Sequence, residues 1–66
     1  MKIRINGSVH ELPHPATVAD ALDAIDAPAR GVAVALDGEV VRRADWKSTE
    51  LHEGAAVEVL TAVQGG

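Results

Sequence analysis

The sequence contains no cysteine, tyrosine or phenylalanine, and its one aromatic residue is Trp46. Without cysteine there is no disulfide framework, no thiolate zinc site and no thiol nucleophile. With aromatics at 2% of residues, the core has to be assembled from Val, Ile, Leu and Ala. Bases are also scarce: six Lys and Arg stand against ten Asp and Glu, a formal charge of −4. That balance argues against a nucleic-acid-binding face or a contact with anionic lipid. No run of about 18 apolar residues exists, so no membrane-spanning helix is expected. The opening Met1-Lys2-Ile3-Arg4-Ile5 alternates and carries no apolar stretch of the signal-peptide kind, so a cytoplasmic protein is expected. What remains is ordinary for a globular chain. Of 66 residues, 47% are hydrophobic and 24% charged, too apolar for disorder and enough for one small domain.

Hydrophobic spacing divides the chain. Met1, Ile3 and Ile5 alternate with Lys2, Arg4 and Asn6, the period of a half-buried strand. Asn6-Gly7 suits a two-residue hairpin turn, because both residues tolerate positive φ. A return strand from Ser8 to about Leu12 stops at Pro13 and Pro15, which cannot donate to a ladder. From Thr17 to Asp26 the period changes. Val18, Ala21, Leu22 and Ile25 form one helical stripe, with Thr17 as N-cap toward Asp20 and Pro28 ending the element. Gly31 to Leu36 is apolar throughout and reads as a central strand covered on part of both faces. Asp37-Gly38 predicts a second hairpin, with a short return over Glu39-Val40-Val41. Arg42 to Glu53 reads as a loop with one helical or 3₁₀ turn near Ala44-Asp45-Trp46. After a third turn at Glu53-Gly54, Ala55 to Ala62 reads as the last strand. The order predicts an α+β fold, one mixed sheet with a helix laid across one face.

Few residues offer chemistry. No Gly-rich phosphate loop is present. His10 and His14 have helical metal-pair spacing, but Pro13 lies between them and the segment is not helical, so no metal site is expected. His52 reads as an exposed turn residue. Asp20, Asp23 and Asp26 read as the solvated side of the helix, and Arg42, Arg43 and Lys47 as loop surface charge. The closing Gly65-Gly66 is different. Glycine loses the most backbone entropy on ordering and packs nothing, so it is a poor end for a strand. Without Cβ atoms, however, such an end can thread a narrow channel and present its carboxylate inside another protein. There it can be activated by ATP as an acyl-adenylate.

Taken in order, these features resemble the β-grasp, ubiquitin-like fold, and within it the ThiS-like sulfur carriers of thiamine biosynthesis. The carrying residues are Asn6-Gly7, then Thr17-Val18-Ala19-Asp20-Ala21-Leu22. Val32-Ala33-Val34-Ala35-Leu36-Asp37-Gly38-Glu39-Val40-Val41 follows, then Arg43, Trp46, Leu51 and Gly54. The tail Thr61-Ala62-Val63-Gln64-Gly65-Gly66 is the most diagnostic stretch. Two positions depart from the family pattern: Ala55 stands where an acid is usual, and Arg42 where a proline is common. Both are expected to affect local turn stability.

The resemblance implies a mixed sheet of four to five strands over residues 1–62 and a flexible tail over 63–66. It implies a carrier rather than an enzyme, with no cofactor bound by the chain. An E1-like adenylyltransferase would use ATP and magnesium to adenylate Gly66. A cysteine desulfurase or persulfide relay would then supply sulfur, leaving a thiocarboxylate for thiazole synthase. Val63, Gln64, Gly65 and Gly66 would contact the partner. Leu60, pointing away from Val57 and Val59, would be a docking residue if it lies on the open sheet face; partial burial by a neighbouring loop is the alternative. Other customers remain open: molybdopterin synthesis, which uses a related small synthase subunit, cysteine synthesis, or protein modification.

Overall fold

Two Asx-Gly pairs set the frame. Asn6 and Asp37 both take left-handed backbone (φ 51° and 50°), each followed by a glycine at φ 85° and 88°. Positive φ at both central residues matches the right-handed twist of flanking strands, so each pair closes a tight hairpin. The computed structural model describes residues 1–28 and 30–61. Its strands are β1 (Lys2–Ile5), β2 (Ser8–Glu11), β3 (Val32–Leu36), β4 (Glu39–Val41) and β5 (Ala56–Thr61). A helix α1 (Val18–Ala24) lies between β2 and β3, and a 3₁₀ turn (Arg43–Asp45) follows β4. The five strands form one sheet in the order β2-β1-β5-β3-β4. β5 runs parallel to β1 and antiparallel to β3, so the last strand sits at the centre.

Helix α1 is short and depends on its ends. Thr17 and Asp20 form a capping box, with the Asp20 carboxylate accepting the Thr17 N–H at 2.8 Å. The first two helical N–H groups have no partner within the helix. They donate instead to the loop after β4: Val18 to the Thr49 carbonyl and Ala19 to the Trp46 carbonyl, both at 3.0 Å. The helix ends earlier than its apolar stripe suggests. Asp26 turns left-handed at φ 53°, its N–H donates to the Asp23 carbonyl, and the Ala27 N–H donates to the Leu22 carbonyl. This is a Schellman closure, and aspartate is among the few non-glycine residues that tolerate it. Pro28 therefore follows the stop rather than causing it.

Alternation decides what is inside. Ile3, Ile5, Val34, Val57 and Val59 line the covered face of the sheet, and Val18, Ala21 and Leu22 come from the helix. Leu12, Ala16, Leu51 and Ala55 close the edges, and no polar or charged residue is buried among the described residues. Ala55 is wholly buried, so this departure from the family pattern is a core position rather than only a turn position. The apolar run of β3 is covered unequally: Val34 is buried under the helix, while on the other face Ala33 is exposed and Ala35 half-buried. One helix supplies one full covering layer, so cover on the second face is only partial. No helix among the described residues is long and apolar enough to cross a membrane.

Candidate functional site

The uncovered sheet face is built by the same alternation that builds the core. In β5, Val57 and Val59 point inward, so Ala56, Glu58 and Leu60 point outward. Register carries this face across the sheet. Arg4 lies opposite both Val9 and Ala56, Ala35 opposite both Glu58 and Val40, and Ala33 opposite Leu60. Among the described residues, the three large apolar ones that remain exposed, Val9 (60%), Val40 (79%) and Leu60 (72%), all lie on this one face. Leu60 stands between two shallow depressions. Arg4, Asn6, Gly7, Ala56, Val57 and Glu58 line one with it, an open groove of about 560 Å³; Gly31, Val32, Ala33 and Thr61 line the other. Small alanines beside a protruding leucine give the face relief, and Arg4 and Glu58 give it both signs of charge. Leu60 is exposed, and no loop among the described residues covers it.

The described part of this face runs to Thr61, the last residue of β5. Val63, Gln64, Gly65 and Gly66 lie outside the described residues. The model of the ThiS family matches residues 3–66. The chain belongs to the ThiS family. A crystal structure of the thiamine biosynthesis protein ThiS from Geobacter metallireducens is 33% identical, covers 100% of both chains and superposes with a TM-score of 0.82. A solution NMR structure of a thiamine biosynthesis protein from the same organism is also 33% identical, with a TM-score of 0.80. That match covers 100% of this chain and 88% of the other. No curated protein matches the chain. The β-grasp fold expected from the sequence is thus the observed one, and membership of the ThiS family supports a sulfur-carrier role rather than a catalytic one.

Elsewhere in this ThiS-family chain, the titratable groups are largely separate. No cluster of three or more metal-ligating side chains occurs among the described residues. The exception to the pattern of solvated charge is His52, which the sequence presents as a bland turn residue. Its Nε2 lies 2.6 Å from Asp37 Oδ2, and its Nδ1 lies 2.9 Å from the Glu53 carbonyl oxygen. The other Asp37 oxygen accepts the Ala56 N–H at 3.0 Å. The pair therefore staples the β3–β4 hairpin to the start of β5, at the end of the strand opposite Thr61. Both partners of the ring are acceptors, so only the doubly protonated imidazole satisfies both. The Asp37 hydrogen bond, then the Glu53 carbonyl, hold the His52 pKa above its ordinary 6.5. The Ala56 N–H, then His52, hold the Asp37 pKa below 3.8.

This staple has a pH signature. The His52 contribution is complete below pH 6.5 and is lost as pH rises through its raised folded pKa. The Asp37 contribution is present above pH 3.8 and is lost as pH falls through its lowered folded pKa. Both are in place between those two values. Thermal melts of His52→Gln against the parent should therefore differ most in that acid window and converge at alkaline pH. A constant offset across the whole range would show that the ring contributes packing only.

Proposed function

We propose that this chain carries sulfur on the terminal carbonyl of Gly66 for thiazole synthase in thiamine biosynthesis. An E1-like adenylyltransferase joins the Gly66 carboxylate to AMP, using ATP and magnesium and releasing pyrophosphate. The outer sulfur of a persulfide, supplied by a cysteine desulfurase or relay, then attacks the Gly66 carbonyl and displaces AMP. A thiol of the partner cleaves the S–S bond of the resulting acyl persulfide, forming a disulfide and releasing the thiocarboxylate. The chain itself binds no cofactor. Its part is recognition and delivery. The observation that carries this reading is the family match running through Gly66. The absence of cysteine agrees with it, since no internal thiol can intercept the acyl-adenylate. Gly65, lacking a Cβ, lets the tail pass a constriction, and Val63 and Gln64 supply the adjoining contacts.

Leu60 and its neighbours form the docking face in this reading. A protruding leucine ringed by small residues is the shape of an interface anchor, and a central anchor carries a large share of binding energy. Leu60→Asp should raise the KM of the activating enzyme for the carrier by about tenfold or more, a loss of about 1.4 kcal/mol. Because the side chain is exposed, unfolding stability should stay within about 0.5 kcal/mol. An unchanged KM would remove Leu60 from the interface.

The deciding experiment is intact mass spectrometry of the protein from its own host, and after incubation with the activating enzyme, ATP and a sulfur source. Replacement of one terminal oxygen by sulfur is expected. A terminus found joined through an isopeptide bond to other proteins, or unchanged by a demonstrably active enzyme, would overturn the reading.

A further inference from the structure

Asn6 has two separable tasks at the end of β1. Its backbone makes the hairpin turn with Gly7. Up to that point β1 and β5 run side by side, with the Arg4 N–H on the Ala55 carbonyl at 2.8 Å and the Asn6 N–H on the Val57 carbonyl at 2.9 Å. The next rung of a parallel ladder falls at Val59, but there the chain has already turned away into β2. The Asn6 side chain takes the place of the missing strand. The Val59 N–H donates to Asn6 Oδ1 at 2.8 Å, and Asn6 Nδ2 donates to the Val59 carbonyl at 3.1 Å. A primary amide offers an acceptor and two donors on one plane, so it can answer both backbone groups of a single residue. β5 is thereby held on its β1 side one rung beyond the reach of β1 itself. On its other side β3 pairs with it through Thr61.

Val59 immediately precedes Leu60, and Asn6 and Leu60 line the same groove. We propose that Asn6 is a positioning residue: its side-chain amide clamps Val59 and so sets how Leu60 is presented to the activating partner. The presentation step rests on the sulfur-carrier reading, whereas the clamp is a property of the fold.

A turn role alone makes a different forecast. Glycine accepts left-handed backbone as readily as asparagine, so Asn6→Gly would then be harmless. Asn6→Gly keeps the turn and removes both side-chain bonds. Asn6→Asp keeps the turn and the acceptor for the Val59 N–H, but sets a carboxylate oxygen against the Val59 carbonyl. Amide hydrogen exchange of the full chain reads the clamp directly, with Val34 on β3 as internal reference. The Val59-to-Val34 exchange ratio should rise about tenfold in Asn6→Gly and by less in Asn6→Asp. With the E1-like adenylyltransferase and ATP, the KM for both variants should rise severalfold while kcat holds. An unchanged exchange ratio overturns the clamp. Faster exchange with unchanged KM overturns the positioning role. If the glycine variant does not fold, the aspartate variant supplies the same comparison. A parent chain that the enzyme never adenylates refutes the sulfur-carrier reading instead, and the exchange ratio alone then decides the clamp.

Discussion

Deletion of Gly66 should abolish thiocarboxylate formation while leaving the thermal midpoint nearly where it was. The two outcomes have separate causes. In the proposed sulfur-carrier reading the reacting carbonyl is that of Gly66, and a shortened tail would place Gly65 one residue short of the position where the partner adenylates it. The loss is therefore of the reacting group's position, and no increase in carrier concentration recovers it. The described core, by contrast, is complete at Val59, and Leu60 and Thr61 after it are already exposed. Exposed terminal residues add little to folding free energy. Intact mass after incubation with the activating enzyme reads the first outcome, and a melting curve reads the second. Retained sulfur loading would place the reacting carbonyl elsewhere. A large drop in midpoint would make the tail a structural element of the domain.

The second large effect is expected in the helix. Leu22 is 6% exposed, belongs to the core cluster and accepts the Ala27 N–H at the helix stop. Leu22→Ala removes its buried branch and leaves a cavity, at a cost of about 2–5 kcal/mol. Domains of this kind hold about 0.05–0.15 kcal/mol per residue, or about 3–10 kcal/mol for the whole chain. The substitution thus removes a large share of the available stability, and the variant should melt well below the parent. Urea titration with far-ultraviolet circular dichroism measures this. A midpoint within error of the parent would mean that the helix does not anchor the sheet. The pair of experiments separates carrier function from folding: the first is expected to abolish sulfur loading and spare the fold, the second to weaken the fold through the core.

The helix end and the β3 run show where reading the chain locally falls short. Periodicity carries the apolar stripe of α1 through Ile25, and Pro28 offers an obvious stop. The helix instead closes at Ala24, because Asp26 adopts left-handed backbone and allows the Schellman bonds. Nothing in the spacing of apolar residues signals that choice. In β3 the uninterrupted Val-Ala-Val-Ala-Leu reads as covered on part of both faces, but its spacing does not say which face is the open one. That face carries Ala33, exposed, and Ala35, half-buried, alanines small enough to face outward at little cost and to leave room around Leu60. His52 was unreadable for a similar reason. Its partner Asp37 lies 15 residues away, across a hairpin and a loop.

Local chemistry alone determined the turns at Asn6-Gly7 and Asp37-Gly38, the Thr17 cap, the inward residues of β1 and β5, and the Gly-Gly ending. Those features depend on backbone preference and on a period of two or 3.6, which act over a few neighbouring residues. Only the tertiary structure decided that β5 would sit between β1 and β3. That placement gathers Val9, Val40 and Leu60 onto one face and brings the Asn6 amide to Val59, 53 residues along the chain. Such meetings are set by which strands pair and in what register, and pairing is a property of the whole sheet, not of any segment within it.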